Sequence, residues 1–401
     1  MPQGTTGDYH WLTSPLADPY LAAAGGHSGS TVSLVKRLRA ELSPHRAHLI
    51  LETVQLRRRA AAKFPAADCM FFTRQLLEQS TGAQVAAYKA SRFSASSHIT
   101  DLCCGIGGDL LAFAARGPCV GVDRDPVAVL LADANCCAVE RTGAGRHKVM
   151  FRTTDAAQYR LGAGHTWHLD PDRRATGIRT TQLEVGHPGP EAVSRLLLQS
   201  PHGAIKLASA TNRLPANWLS ETEREWIGYR GECRQQVVWF GDLAIDSPGR
   251  VATLLDNLGR PHRFVGSPTT AVPRTSDIGR FVFEPHAVVL AAGLVGALAT
   301  AHQLASFSST HGYLTGDHRV SNILMAMFEV EEVLPFNIKR LKTALRSRRI
   351  GRLEIKHRAL AVNPSRLISE LKLAGDRSAT LLIAGAQPRA VAILSQRVTE
   401  S

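Results

Sequence analysis

Asp101-Leu102-Cys103-Cys104-Gly105-Ile106-Gly107-Gly108-Asp109 is the stretch on which the fold turns. An apolar run from His98 leads into it, glycines turn the chain, and a helix-like run follows from Gly108. Glycine suits such a turn because a ligand can approach the backbone where a Cβ would stand, and because some positions need φ > 0. Outward from this point short apolar runs alternate with helix-like segments. Strands are expected at His98–Cys104, Cys119–Asp123, Val149–Asp155, Thr166–Asp170 and Gly203–Ala208. Helices are expected at Gly108–Arg116, Asp125–Arg141 and Pro190–Gln199. Alternation at this period implies a parallel sheet covered on both faces. Arg224–Gly231 and Gln235–Leu243 then read as an antiparallel hairpin at one sheet edge.

The flanks of the turn narrow its ligand. A dinucleotide fingerprint would place its third glycine at position 110, where Leu110 stands. Asp101, near the end of the first strand, gives nothing to a pyrophosphate but suits the cationic amino-acid end of S-adenosylmethionine (SAM). Asp123 ends the second strand, where a carboxylate can accept from both ribose hydroxyls. Asp155 ends the third, at the level of an adenine amino group. Asp101, Cys103, Gly105, Gly107, Asp123 and Asp155 are therefore the candidate cofactor-binding residues.

With these residues the chain resembles class I SAM-dependent methyltransferases, Asp101–Asp109 standing as their first motif and Val122-Asp123 as their second. More closely it resembles bacterial proteins that join this domain to a C-terminal THUMP-like domain. Phe71-Phe72-Thr73-Arg74 and Tyr88-Lys89-Ala90-Ser91-Arg92-Phe93 carry the likeness ahead of the first motif. Asp170-Pro171-Asp172-Arg173-Arg174, Tyr313-Leu314-Thr315-Gly316-Asp317, Glu332-Val333-Leu334-Pro335-Phe336-Asn337 and Gly351-Arg352-Leu353-Glu354-Ile355-Lys356 carry it beyond. The resemblance runs from about residue 66 to the end. It implies an α/β fold with a Rossmann-like seven-stranded methyltransferase sheet, an N-terminal helical region and a small C-terminal α/β module. It names a cofactor, SAM, better than it names a target.

Asp170-Pro171, at the end of the fourth strand, stands where this class presents its catalytic motif, and both are the candidate catalytic residues. Enzymes that methylate an exocyclic amine carry [Asp/Asn]-Pro-Pro-aromatic there, the ring stacking on a flipped base. Here Asp172-Arg173 replaces the second half, and an Arg plane could stack instead. Arg173 and Arg174 are candidate substrate contacts in a polar loop, Asp172–Gly189, that also holds Arg179. Carbon-5 pyrimidine methylation needs a Cys nucleophile, and none follows Asp170; Cys103 and Cys104 read as packing beside the cofactor. Lys206 on the fifth strand could point into the site. His165 and His168 face opposite ways on a strand and make no ligand pair. No H-E-x-x-H occurs, and no metal is expected.

The rest of the chain divides by texture. Residues 1–94 read as a helical region, with helices at Thr31–Leu42 and Arg46–Phe64 separated by Ser43-Pro44, a helix-start pair. Residues 95–260 make the SAM-binding domain and 261–336 a linker and helical extension. In the latter, Gly259–Ser276 reads as loop and Ala287–Thr300 as one buried helix, too short to span a bilayer. Residues 337–401 form the basic THUMP-like domain: a helix at Asn337–Arg349, a strand at Arg352–Arg358, a helix at Pro364–Leu373, and a hairpin of Thr380–Ala384 with Ala390–Gln396.

Charge points to a partner. The 401 residues hold 47 Lys+Arg against 34 Asp+Glu, a net +13. From Asn337 onward fourteen basic residues face four acidic ones, so this tail carries most of the surplus. Lys339, Lys342, Arg346 and Arg349 follow 3–4 residue spacing and share one helix face, a cationic row suited to a phosphate backbone. Because THUMP domains bind RNA, the resemblance implies RNA as the partner, rRNA and tRNA not being distinguished, and no membrane. Seven cysteines without a C-x-x-C, and no apolar leader, fit a reduced, cytoplasmic protein.

The expected function is thus a SAM-dependent methyltransferase acting on structured RNA, a base exocyclic amine favoured. Two alternatives stay open: a catalytically silent SAM-binding, RNA-binding protein, and a methyltransferase for a protein or small molecule.

Overall fold

The computed structural model describes residues 5–143, 145, 147–172, 186–211, 214–308, 312–358, 361–385 and 390–398. It begins with six helices, α1 Thr6–Leu12, α2 Asp18–Gly25, α3 Thr31–Glu41, α4 Pro44–Ala60, α5 Arg74–Gln79 and α6 Ala83–Ser91. The Ser43 side chain caps α4 by accepting from the Arg46 amide, with Pro44 at the first helical position, as that pair implied. Leu12, Leu38, Ile50, Leu56 and Phe72 close a core that also takes in Ile106 and Leu131.

Strand and helix then alternate: β1 Ile99–Leu102, α7 Leu110–Ala114, β2 Cys119–Asp123, α8 Pro126–Arg141, β3 Val149–Thr153, β4 Thr166–Leu169, α9 Pro190–Gln199 and β5 Gly203–Leu207. A short α10, Ala216–Leu219, precedes β6 Glu223–Tyr229 and β7 Glu232–Phe240. The chain forms two compact units, the first comprising Met1–Glu223 with Gln235–Pro248, the second Arg224–Arg234 with Gly249–Ser401. In the first, strands stand in the order β3-β2-β1-β4-β5-β7. The first five run parallel and β7 antiparallel to β5. Burial on both faces explains why β1, β2, β4 and β5 read as apolar runs without alternation, whereas β3, the edge strand, is half-exposed or exposed throughout. Trp167, Leu169, Val193, Ile205 and Val238 pack a core on one side.

The five expected parallel strands, β1–β5, are present within the expected bounds, whereas the expected hairpin shifts: β6 starts at Glu223, β7 at Glu232, and the turn falls at Arg230-Gly231, both at positive φ. The helix expected from Gly108 starts at Leu110, because Cys103, Gly105 and Gly107 adopt φ of +61, +54 and +84 and the turn uses the residues before it.

The second unit departs further from expectation. Beyond β6 it holds β8 Gly249–Leu255 and β9 Pro261–Gly266, which pair antiparallel. The expected Gly259–Ser276 loop is therefore corrected: its first half is a strand. β9 is only partly buried, so it shows Pro, His and Arg in place of an apolar stripe. The single helix expected over Ala287–Thr300 is also corrected, to α11 Ala287–Ala292 and α12 Val295–Ala301. Gly293 at φ +69 ends the first in a left-handed cap.

A six-stranded sheet follows, in the order β11-β10-β12-β15-β14-β13. Its strands are β10 Phe281–Pro285, β11 Leu314–Gly316, β12 Met325–Pro335, β13 Ile350–Arg358, β14 Arg377–Ala384 and β15 Val391–Val398. Two helices, α13 Ile338–Ser347 and α14 Pro364–Leu371, contribute Leu341, Leu345, Leu367 and Leu371 to a core with Leu381 and Ile383. Leu382 and Ile393 pack elsewhere, with Phe328 and Tyr313, as strand alternation requires.

Gly351, in the quoted Gly-Arg-Leu-Glu-Ile-Lys stretch, has a steric reason to be there. A Cβ would lie 2.0 Å from the Gly375 carbonyl oxygen, a backbone atom that cannot swing aside. Gly351→Ala is therefore expected to destabilise the second unit by about 1–3 kcal/mol, measurable as a lowered midpoint in thermal unfolding. A variant as stable as the parent would show that this backbone approach is not required.

Candidate active site

The turn after β1 opens onto a cavity of about 500 Å³ within the first unit, in the usual range for cofactor pockets. Asp101, Cys103, Gly105, Asp123, Asp155, Asp170 and Pro171 all line it. Parallel pairing explains the convergence: β1, β2, β3 and β4 end at one edge, so residues far apart in sequence meet there. Gly107 does not line the cavity. It turns the chain at φ +84, with Ala132 in contact distance behind it.

Each carboxylate stands in a different environment. Asp123 accepts from the Gly105 amide at 2.9 Å and the Asp125 amide at 3.0 Å, and burial raises its pKa. Asp155 accepts from the Ala157 amide at 2.8 Å and lies 3.0 Å from His187 Nε2. Burial works to raise its pKa, but the amide and His187 outweigh that and lower it. Asp170 receives the Lys206 ammonium on Oδ2 at 2.5 Å, while the same ammonium donates to the Gln79 carbonyl at 3.2 Å. Lys206 does not itself line the cavity and meets the site through Asp170 and Gln79.

Asp101 differs from all of these. It is 1% exposed, and its Oδ1 lies 2.7 Å from His168 Nδ1. Its Oδ2, equally buried, has no hydrogen-bond partner among the described residues. Burial raises its pKa against the pull of His168. A buried carboxylate oxygen left bare beside a cavity costs free energy until a donor or cation arrives. The donor set accordingly fits SAM: a bare carboxylate for an ammonium, Asp123 at the second strand end for ribose hydroxyls, and a third carboxylate for an adenine amine.

Several residues here carried no signal in the sequence. Asn135 on α8, fully buried, accepts from the Phe71 amide at 2.6 Å and donates to the Phe71 and Ile106 carbonyls at 3.0 Å. Lys63 donates to the carbonyls of Leu77 and Ser80 at 2.6 and 3.0 Å, fixing the wall that Gln75–Thr81 gives the cavity. His187 pairs with Asp172 through both main-chain hydrogen bonds. Arg173, Arg174 and Arg179 lie outside the described residues. Cys103 and Cys104 thiols are pushed well up by burial and neighbouring carboxylates, so neither supplies a thiolate.

In the second unit, Lys339, Lys342 and Arg346 stand on α13 opposite the buried Leu341, Ala344 and Leu345. Arg349 leaves that row. The helix ends at Ser347, and Arg349, at φ +56, pairs with Asp376 at 3.0 Å.

The first unit's strand order, its glycine turn and the carboxylates at successive strand ends define the class I methyltransferase type. The chain belongs to the S-adenosylmethionine-dependent methyltransferases. It is 31% identical, over 84% of its length and 92% of theirs, to uncharacterized S-adenosylmethionine-dependent methyltransferases from two strains of Mycobacterium tuberculosis, CDC 1551 and H37Rv. A crystal structure from Porphyromonas gingivalis W83 shares its fold with a TM-score of 0.73 at 18% identity. That alignment covers 99% of this chain and 100% of the other. The THUMP domain-like family matches residues 325–397.

The state of Asp101 predicts a pH dependence. Its facing groups are His168 from β4, Lys89 from α6 and Asp109 ahead of α7. Because its pKa is raised in the free protein, Asp101 takes up a proton at higher pH than an ordinary aspartate. Only the ionised form attracts an ammonium. Affinity for S-adenosylhomocysteine is therefore expected to fall on acidification, approaching about tenfold per pH unit below that pKa, with a proton released on binding. Calorimetry in buffers of different ionisation enthalpy measures both effects. A slope that persists in Asp101→Asn would assign it to another group.

Proposed function

We propose that this methyltransferase acts on structured RNA, with an exocyclic amine of a base as the acceptor. The observation that carries the reading is the outer row of α13. Its Lys339, Lys342 and Arg346 have no ion-pair partner among the described residues, whereas Arg348 pairs with Glu332 and Arg349 with Asp376. Three unneutralised cations on one helix face, in the segment that matches the THUMP domain-like family, suit consecutive phosphates. Arg349 would join them only by giving up Asp376. Arg173 and Arg174 are proposed as further substrate contacts, being next in sequence to Asp172, which lines the cavity.

In this reading Asp101 holds the ammonium of the cofactor, Asp123 its ribose and Asp155 its adenine, with Cys103, Gly105 and Gly107 shaping the turn. When bound, the sulfonium supplies a methyl group already activated for in-line displacement. Asp170 and Pro171 position the acceptor. Lys206 occupies Oδ2 of Asp170, and Oδ1, with no partner among the described residues, accepts a hydrogen bond from the amine, as does the Pro171 carbonyl. No base is needed before attack, because the proton can leave once the methyl has arrived. The raised thiols of Cys103 and Cys104 give no support to a carbon-5 route.

Methyl transfer from labelled SAM to total RNA and, in parallel, total protein of a strain lacking this gene tests the proposal. Label is expected in RNA, reduced roughly a hundredfold or more in Asp170→Ala while S-adenosylhomocysteine still binds. Label in protein alone would overturn the substrate. No label in either, with cofactor bound, would favour a silent RNA-binding role.

The basic row is tested separately. Replacing Lys339, Lys342 and Arg346 by alanine is expected to weaken RNA binding across sequences, and to shallow the salt dependence by about one unit of log–log slope per lost phosphate contact. An unchanged slope would place the RNA elsewhere.

A further inference from the structure

Behind the glycine turn runs a buried polar chain that cofactor contact alone does not explain. Thr81 Oγ1 donates to Asp109 Oδ2 at 2.7 Å, and Asp109 Oδ1 lies 2.8 Å from the Lys89 ammonium. Lys89 Nζ lies 3.1 Å from His168 Nε2, and His168 Nδ1 lies 2.7 Å from Asp101 Oδ1. No member is more than 6% exposed. They come from the approach to α6, from α6 itself, β1, the approach to α7, and β4.

Proton bookkeeping along the chain fixes its polarity. Burial works to raise Asp109 and to lower Lys89, but their 2.8 Å ion pair, with Lys206 adding to it, holds Asp109 well below the ordinary carboxylate range, so the proton of the pair sits on Lys89. An ammonium donating to Nε2 requires that nitrogen to be bare. The ring proton is then on Nδ1, directed at Asp101. Lys89 thus neutralises Asp109, and Lys206 neutralises Asp170. Asp101, which lines the cavity, has a neutral donor on Oδ1 and no partner on Oδ2 among the described residues, so this buried charge is short of a cation.

We propose that His168 is a positioning residue for cofactor recognition, locked in one tautomer by Lys89 so that Asp101 Oδ1 is held and Oδ2 stays turned to the cavity for the cofactor's ammonium. The proposal rests on the assignment of Asp101 to the amino-acid end of the cofactor. An unheld aspartate could rotate about χ1 and χ2, and holding it in advance removes an ordering cost from binding. His168 and Lys89 therefore act on the amino-acid end of the ligand and leave the nucleoside end alone.

Two ligands separate those ends. S-adenosylhomocysteine carries the ammonium, whereas 5′-methylthioadenosine has the same nucleoside without the amino acid. Calorimetry on the full chain compares both in wild type, Asp101→Asn, His168→Leu, His168→Asn and Lys89→Met, with thermal unfolding to verify that each folds. In wild type S-adenosylhomocysteine is expected to bind more tightly, and Asp101→Asn to abolish most of that preference. Equal binding of the two ligands by wild type would overturn the Asp101 assignment itself, before His168 is considered.

Given that preference, His168→Leu is expected to weaken S-adenosylhomocysteine about tenfold or more and 5′-methylthioadenosine by less than about twofold. Lys89→Met should move in the same direction. His168→Asn, whose amide can donate from the place of Nδ1, should recover much of the preference, and it decides the matter if His168→Leu does not fold. Equal weakening of both ligands would reduce His168 to a core residue. Unchanged affinities would show that Asp101 orients without it.

Discussion

A single side-chain amide ties the first unit together. Asn135, buried on α8, binds both main-chain groups of Phe71 and the carbonyl of Ile106. Three pieces of chain with no regular hydrogen bonding to each other are thereby held at one point: the segment entering α5, the glycine turn and the helix after β2. Left unpaired in an apolar interior, each of those main-chain groups would cost on the order of 1–3 kcal/mol. The turn can adopt three left-handed residues among five positions because its far side is fixed in this way.

Electrostatics in the cavity follow from that scaffold. Four carboxylates stand near one another at strand ends, an arrangement that repels itself unless each is answered. The protein answers them unequally. Amides serve Asp123, an amide and His187 serve Asp155, and an ammonium serves Asp170. Asp123 and Asp101 have neutral partners only, and of the four Asp101 alone keeps a buried oxygen bare among the described residues. A donor or cation reaching that oxygen would relieve the cost of leaving it unpaired.

Legibility from sequence tracked how local each signal was. The strand-turn-helix unit, the acidic strand ends and Asp170-Pro171 could be read because pattern and spacing lie within a few residues. The basic row on α13 was legible for the same reason, up to Arg349, where a left-handed residue after the last turn broke the period. β9 escaped because a half-exposed strand shows no apolar alternation, and the break at Gly293 hid inside a uniformly apolar run. Lys89, Asp109, Asn135 and His168 escaped more completely. Each is an isolated polar residue whose partner lies 20 to 79 positions away, and no period marks such a pair. Lys89 lay inside a stretch recognised by resemblance, yet nothing local showed that it is buried.

The wall formed by Gln75–Thr81 has a consequence for how this chain can be divided. Division by texture places the boundary of the catalytic domain near residue 94, yet that wall lies upstream of it. Lys63 holds the wall from the N-terminal side, and Lys206, on β5, holds it through the Gln79 carbonyl. The Rossmann-like core is therefore not a cassette that can be lifted out at its first strand. Shortened there, it would lose one side of its pocket and, with Phe71, the main-chain partner that Asn135 grips behind the glycine turn. In gene fusions, chimeras or minimal forms, the helical region should travel with the strands as part of the same functional unit.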